Sequence, residues 1–208
     1  MKIEKDKAYS NLAIDSAVKA YRRDSTDCAF ISRLVYGVVE RKITLDYYLS
    51  KVLTQPIKKL NPQVLTILRM GVYQIKYMDR VPDSAAVNES VKLAKANKCN
   101  FAAGLVNALL RNVGKLSRKV KCAFASGLIN SVLRKTSTND ILLPETDNVI
   151  YNLSIRYSCP ENLVSQFIDD YGVTYTEKIL SASVGTVPVY IRVNTLKISP
   201  DELCKKLF

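Results

Sequence analysis

Residues 99–111 read CNFAAGLVNALLR, and residues 122–134 repeat them as CAFASGLINSVLR. Cys, Phe, Ala, Gly, Leu, Asn, Leu and Arg recur in register between the two copies. In the first copy Ala102, Leu105 and Leu109 follow one another at steps of three and four, which is the spacing of an amphipathic helix. We therefore predict two helices of about fourteen residues each, joined by a basic linker over residues 113–121.

The same helical spacing extends towards the N-terminus. Apolar stripes lie in residues 12–21, 30–39, 44–53, 64–77 and 86–93. Asn61 followed by Pro62 is a typical helix start, and Pro82 opens the next helix. With only seven glycines and seven prolines, the chain has too few turn residues for an all-β or linker-rich protein. Residues 1–135 are thus predicted to form an all-α bundle.

The C-terminal part follows a different pattern. Residues 136–148 are polar and are expected to form a boundary. Beyond it we predict a helix from Pro160 to about Gly172 and a second helix over residues 175–183. A strand is predicted over residues 187–193, which are rich in β-branched side chains, and Ser199 starts a last helix. A lone strand cannot complete a sheet, so residues 149–208 are predicted to be a small α+β segment that is incomplete at the C-terminus.

Positive charge is concentrated in the first part of the chain. Residues 1–135 carry 25 basic and 10 acidic residues, whereas the remainder carries 6 and 9. Residues 90–139 contain ten basic residues and no acidic one. Such a surface attracts a polyanion, so nucleic acid is the first candidate partner and an anionic membrane surface the second.

Other classes of function are disfavoured by what the sequence lacks. No segment approaches the roughly 20 apolar residues of a membrane-spanning helix, and residues 1–8 have no signal-peptide hydrophobic region. The five cysteines form no CxxC pair and the chain has no histidine, which disfavours zinc binding and favours reduced thiols. We expect a soluble cytoplasmic protein without a metal site or a membrane partner.

Several local phrases resemble one known family. They are LVYGVV at 34–39, LDYYL at 45–49, ILRMGVYQ at 67–74, AAVNE at 85–89, the first repeat from Gly104 to Arg111, and IRVNTLK at 191–197. All but the last resemble the NusB-like domain of bacterial Sun (RsmB) 16S ribosomal RNA cytosine-5 methyltransferases, and the last resembles the segment that precedes their methyltransferase domain. The resemblance implies a NusB-like helical RNA-binding domain over residues 1–135 and the start of the linker domain over residues 149–208. It also implies that the chain docks small-subunit 16S ribosomal RNA for a catalytic domain.

The resemblance also has gaps. It begins near residues 5–11, so the family's first helix is expected to be missing. The methyltransferase domain, with its S-adenosylmethionine pocket and catalytic cysteine, is expected to be absent. We therefore expect no catalytic residue and no bound cofactor in this chain. Cys159 and Asn162 stand where relatives often carry histidine and tryptophan. The second repeat copy has no counterpart, and it is expected to fill the groove of the missing helix or to mediate self-association.

The repeat supplies the main candidate binding face. On a helix Gly104, Asn107 and Arg111 share one face, where glycine admits close backbone approach and the other two donate hydrogen bonds to phosphate or a base edge. The alternative is that Gly104 permits tight helix packing and Asn107 bonds a neighbouring loop. The residues expected to bind RNA are Lys98, Arg111, Lys115, Arg118, Lys119, Lys121, Arg134, Arg192, Asn194 and Lys197.

Some interpretations remain open at this point. Arg192 and Asn194 are predicted to share one strand face, which serves RNA or an interdomain contact, or is simply exposed. Tyr47 and Tyr48 either stack on bases or, as aromatic residues at helical spacing usually do, lie in the core. Four cations at predicted helix ends are interpreted as a solvated face rather than as specific contacts: Arg22, Arg23, Arg41 and Lys42. The alternative functions are a free-standing NusB-like antitermination factor and a truncated, self-associating remnant.

Overall fold

The computed structural model describes residues 9–21, 25–125, 143–184 and 192–207. Regular structure within these ranges is helical, which confirms the all-α class. The helices in chain order are α1 (Ser10–Tyr21), α2 (Ser25–Glu40), α3 (Lys42–Val52), α4 (Pro62–Tyr77), α5 (Asp83–Ala96), α6 (Ala103–Ala125), α7 (Val149–Tyr157), α8 (Glu161–Ser183) and α9 (Pro200–Leu207). Single 3₁₀ turns, Ile57–Lys59 and Asn100–Ala102, precede α4 and α6.

Two helices begin at asparagine caps. The Asn61 side chain accepts a hydrogen bond of 2.8 Å from the Gln63 backbone N–H, and Pro62 occupies the first turn of α4. The Asn148 side chain accepts one of 3.0 Å from the Tyr151 backbone N–H at the start of α7. Each cap satisfies a donor that has no partner inside the helix, a contribution of about 1 kcal/mol. The start predicted at Asn61 is confirmed.

Helix α4 is the centre of the bundle and contacts α2, α3, α5 and α6. Its Leu68 and Val72 are fully buried. A Cβ atom on Gly71 would lie 2.5 Å from Leu110 Cδ1 and 2.9 Å from Ser90 Oγ. Since real side chains do not tolerate such distances, glycine at this position allows α5 and α6 to pack closely on α4.

A buried ion pair joins α3 to α4. Arg69 Nε lies 2.7 Å from Asp46 Oδ1, and Arg69 Nη2 donates to Asp46 Oδ2 at 2.8 Å. The Arg69 side chain is only 7% exposed. The planar guanidinium and the carboxylate therefore form a two-pronged contact that fixes the register of the two helices.

Helix α7 docks onto the bundle at the N-terminus of α3. Ile155 of α7 belongs to the main hydrophobic core. The buried Thr44 hydroxyl donates to the Ile155 carbonyl at 2.5 Å, and Ser158 Oγ accepts from the Ile43 N–H at 3.0 Å. Ser158 has a left-handed backbone, with φ of 56°. The C-terminus of α7 and the N-terminus of α3 thus satisfy each other's unpaired backbone groups.

A second, smaller core lies between α7 and α8. Its buried members among the described residues are Leu153, Val164 and Leu180. Within α8 the backbone of Gly172 is not helical, with φ of 74° and ψ of 164°. This kink confirms the prediction of two helical segments that meet near Gly172, because only glycine adopts this conformation readily.

Other predictions differ from the structure. The expected linker over residues 113–121 is part of the continuous helix α6, and of the second repeat copy only residues 122–125 lie within the described ranges. The α+β character predicted for residues 149–208 is wrong for the described part, which is helical. The predicted strand falls mainly on residues outside the description, and its residues 192 and 193 have no regular structure. Within the described ranges no helix is long and apolar enough to cross a membrane.

Candidate nucleic-acid interface

A groove with a volume of about 680 Å³ runs between α5 and α6. Small residues, carboxamides and cations contribute to its lining. They include Ala103 and Gly104, Asn88 and Asn107, and Lys92 and Lys95. We call this feature the α5–α6 groove. It combines room for a nucleic-acid chain with hydrogen-bond donors and positive charge.

Gly104 has no role in helix packing among the described residues. Apart from its chain neighbours and the backbone of its own helical turn, no heavy atom of the described structure lies within 4 Å of the position that a Cβ atom on Gly104 would occupy. At Gly71, in contrast, a Cβ atom would collide with neighbouring side chains. A helical glycine costs up to about 1 kcal/mol relative to alanine, and at Gly104 no contact within the described structure accounts for it. The open space therefore favours the binding interpretation over the packing one.

Asn107 and Arg111 act as a pair on α6. Arg111 Nε donates to Asn107 Oδ1 at 2.8 Å, so the carboxamide holds the guanidinium along the helix rather than bonding a neighbouring loop. Arg111 is exposed. It also borders a cavity of about 420 Å³ whose lining includes Asp79 and Asp83. Arg111 thus stands between a basic groove and a partly acidic cavity.

Lys98 lies in the connection between the two helices of the groove. Its φ of 59° places it in the left-handed region, where glycine is the usual residue after a helix. The Cys99 N–H bonds the Ala94 carbonyl at 2.9 Å and the Lys98 N–H bonds the Lys95 carbonyl at 3.3 Å, which together form a Schellman motif. A lysine in this strained conformation places an exposed cation at the end of α5.

One ion pair moderates the charge of the groove. Lys92 Nζ lies 2.7 Å from Glu89 Oε1, and both side chains are well exposed. An exposed pair at this spacing is weak, worth about 0.5 kcal/mol or less. It can therefore exchange partners when a phosphate approaches.

Comparison with known proteins assigns this bundle to a protein family. A family model described as the NusB family matches residues 1–115, more than half of the chain. The chain belongs to the NusB family. A second model, described as the ferredoxin-like domain of Methyltr_RsmF/B-like proteins, matches residues 159–208. The α5–α6 groove and Arg111 lie within the NusB-family match.

Individual relatives show the same two-part pattern. A Bacillus subtilis protein named "Probable ribosomal RNA small subunit methyltransferase B" is 31% identical over 210 residues, covering 100% of this chain and 41% of that protein. A Synechocystis protein of the same name is 32% identical over 205 residues, with coverages of 99% and 41%. The transcription antitermination protein NusB of Listeria innocua is 32% identical over 105 residues, which are 50% of this chain and 81% of that protein. The chain therefore spans 41% of the length of these methyltransferase B relatives.

The remaining predicted cations of the NusB region follow Arg111. Lys115, Arg118, Lys119 and Lys121 belong to α6 and not to a linker. Positions 111, 115 and 118 share one face of a helix because they are separated by steps of four and three. Arg134 lies outside the described residues. The structure thus places Lys98 in the connection between α5 and α6 and Arg111 beside Asn107, which lines the groove, and it continues the helix through the other four positions.

The predicted residues of the ferredoxin-like region lie elsewhere and have a different local role. Asn194 Oδ1 accepts from the Leu196 N–H at 3.1 Å, and the Asn194 carbonyl accepts from the Lys197 N–H at 2.9 Å. Asn194 and Lys197 are thus part of a turn that leads into α9, whereas Arg192 lies before it without regular structure, and the predicted strand face of Arg192 and Asn194 is wrong. In the part of the chain that the structure describes, no hydrogen bond or ion pair links this turn to the α5–α6 groove.

The tyrosines of α3 are core residues. Tyr47 and Tyr48 are each 8% exposed, which leaves no room for a base to stack on their rings. Of the cations around them, Arg41 was predicted to lie on a solvated face, and no role was predicted for Lys51 and Lys76. A signal existed for Lys51, because it follows Tyr47 by one helical turn. The contacts of Arg41 with Tyr77 and of Lys76 with Tyr48 join distant parts of the sequence, so no local pattern reveals them.

Proposed function

We propose that this chain docks small-subunit ribosomal RNA for a ribosomal RNA cytosine-5 methyltransferase. The observation that carries the proposal is the open, basic α5–α6 groove, whose Gly104 has no packing role in the described structure. The order of matches, NusB family and then RsmF/B-like ferredoxin-like domain, supports the assignment to a methyltransferase.

In this proposal the groove holds one segment of the RNA chain. Gly104 lets the ribose-phosphate backbone approach α6 closely, and the carboxamides of Asn88 and Asn107 donate to it. Lys95 and Lys98 neutralise phosphates, which releases counterions and makes binding depend on salt. Arg111, held by Asn107, adds a guanidinium that bonds phosphate with two N–H groups.

Methyl transfer belongs to a further domain in this proposal. S-adenosylmethionine would supply the methyl group there, and the chain alone would be inactive. The α5–α6 groove does not fit this cofactor, because its lysines repel the positively charged sulfonium. The proposed setting is the cytoplasm, where ribosomal RNA is modified in bacteria.

A free-standing antitermination factor is the second candidate. The similarity to the Listeria innocua NusB protein favours it, yet that similarity covers only 50% of this chain. Residues 159–208 match a domain of methyltransferases instead. The methyltransferase assignment accounts for both halves of the chain.

Fluorescence anisotropy with a labelled small-subunit RNA hairpin, titrated at several salt concentrations, tests the proposal. We expect Gly104→Leu, which fills the groove without changing charge, to weaken binding about tenfold at every salt concentration, because a hydrogen bond to a charged phosphate is worth roughly 1.5–3 kcal/mol. Arg111→Gln should weaken binding and also reduce the salt slope by about 0.7, the value for one phosphate on a single strand.

Ala108→Leu is the matched control for Gly104→Leu. Ala108 is exposed on the same helix and does not line the groove, so this variant should bind as the parent chain does. Equal affinity of the Gly104→Leu variant and the parent would place the RNA outside the groove. Absence of binding at low salt would refute RNA docking itself and favour self-association as the role of the basic repeat.

A further inference from the structure

Three cations of the bundle stand over tyrosine rings. Arg41 Cζ lies 5.3 Å from the centroid of the Tyr77 ring. Lys76 Nζ lies 4.7 Å from the Tyr48 ring and Lys51 Nζ lies 5.0 Å from the Tyr47 ring. The negative face of each ring attracts the cation above it. These side chains are therefore held in defined positions at the ends of α2, α3 and α4.

The three tyrosines form a connected base. The Tyr48 and Tyr77 hydroxyls interact, and this interaction adds to the effect of burial in raising the pKa of Tyr48. The Tyr47 and Tyr48 rings meet edge to face with centroids 6.1 Å apart. Burial raises the pKa of both Tyr48 and Tyr77, so these hydroxyls stay neutral near pH 7. The rings thus orient the cations without placing a negative charge beside them.

Two of these cations, Arg41 and Lys51, have no carboxylate partner within the described structure. The carboxylate of Asp46, on the same helix as Lys51, is bound to Arg69 in both of its oxygens. A fourth cation, Arg33, donates to the Tyr77 carbonyl at 3.3 Å beside Arg41. Positive charge therefore runs along the ends of these helices.

We infer that Arg33, Arg41, Lys51 and Lys76 form a second RNA contact surface, which takes the phosphodiester backbone. We call it the tyrosine-seated strip. It rests on the proposed RNA docking and adds residues outside the acid-free stretch 90–139. A row of cations held apart on separate rings suits the successive phosphates of one chain better than a single anion. Pre-ordered side chains also lose less conformational freedom when RNA binds.

The strip is tested by a triple variant, Arg41→Gln, Lys51→Gln and Lys76→Gln, in the same RNA titration. Glutamine keeps much of the aliphatic stem over the ring and removes the charge. We expect the salt slope to fall by about 2, or 0.7 for each lost phosphate contact. The matched control, Lys19→Gln, Lys58→Gln and Lys59→Gln, removes three exposed charges elsewhere and should change the slope much less.

Two further measurements separate the possible failures. The double variant Lys51→Arg and Lys76→Arg preserves the charge and should keep the salt slope of the parent chain. If its salt slope falls as much as that of the triple glutamine variant, the substitutions act through packing on the rings and not through phosphate contacts. An unchanged slope in the triple glutamine variant, with Gly104→Leu still weakening binding, would overturn the strip and leave the groove standing. If the parent chain does not bind RNA, the proposed function fails and the strip fails with it.

Discussion

The bundle and the C-terminal region differ in how they obtain a core. The bundle buries large aliphatic residues completely, among them Leu45, Leu68 and Leu110 on three different helices. In the C-terminal region the buried cluster of described residues is small, and Tyr175 of α8 is 64% exposed. Hydrophobic stabilisation scales with the apolar area removed from water. The bundle is therefore expected to be stable by itself, whereas the C-terminal region depends on its contact with the bundle.

The C-terminal region depends on the bundle through helix α7, because this helix contributes residues to both cores. Ile155 packs into the bundle core, whereas Leu153 packs against α8. Leu143, before α7, also packs on the bundle core. The predicted boundary over residues 136–148 thus leads directly into a docked helix. Unfolding of the bundle is expected to release α7 and, with it, the small core.

The largest expected effect comes from a matched pair of core truncations. Leu110→Ala removes a fully buried side chain between α4 and α6 and should lower the global free energy of unfolding by about 3 kcal/mol or more. Leu180→Ala makes the same change in the small core. It should speed amide hydrogen exchange in α8 while leaving exchange in α4 nearly unchanged. Urea denaturation and hydrogen exchange followed by mass spectrometry measure the two effects.

Leu163→Ala, at a half-exposed position of α8, is the control for the size of the truncation. It should cost much less than either core change. If Leu180→Ala destabilises α4 as strongly as Leu110→Ala does, the chain unfolds as one cooperative unit. The proposed difference between the two regions would then be wrong.

A smaller effect is expected at the junction. Thr44→Val removes the hydroxyl that donates to the Ile155 carbonyl and leaves a buried acceptor unpaired, at a cost of about 1–3 kcal/mol. Because α7 belongs to both cores, exchange should rise in α7 and α8 more than in α4. Hydrogen exchange resolved by segment measures this ratio.

Thr66→Val is the matched control for the junction. The Thr66 hydroxyl bonds the Pro62 carbonyl within the first turn of α4, so its loss should leave α7 protected. Equal protection of α7 in the parent chain and in the Thr44→Val variant would show that the packing of Ile155 and the Ser158–Ile43 hydrogen bond hold the junction without the Thr44 hydroxyl.

Local signals made most of the bundle predictable from sequence. The start of α4 at Asn61 and the interruption at Gly172 depend on neighbouring residues, and both were predicted correctly. The junction was not predictable, because Thr44 and Ile155 are 111 residues apart. The linker expected over residues 113–121 was wrong because charge outweighed helical spacing in that prediction. Val113, Leu116 and Val120 continue the apolar period at steps of three and four.

The sequence predicted the helix face of the candidate site but neither its geometry nor the α5 residues that line the groove, Asn88, Lys92 and Lys95. Spacing placed Gly104, Asn107 and Arg111 on one face, but only the structure shows that Gly104 borders open space. The strand predicted for Arg192 and Asn194 was wrong because the prediction gave more weight to the β-branched neighbours than to Asn194. The Asn194 side chain forms a turn by accepting a hydrogen bond from the Leu196 N–H. The tyrosine-seated cations were not predicted. The rings under Arg41 and Lys76 come from other helices, whereas the spacing of Tyr47 and Lys51 was a local signal that the prediction did not use.

The smallest expected effect is a gain of stability in the C-terminal region. Thr176 of α8 is fully buried, and its hydroxyl has no hydrogen-bond partner in the described structure. Thr176→Val keeps the shape and removes the unpaired group, so it should stabilise α8 by about 1 kcal/mol. Slower hydrogen exchange in α8, with exchange in α4 unchanged, would show that the variant reduces the difference in stability between the C-terminal region and the bundle.

Thr174→Val, at an exposed position two residues away, should have little effect on exchange in α8. Faster exchange in the Thr176→Val variant would instead reveal that the hydroxyl has a partner, and the weakness of this region would then rest on its small apolar core alone.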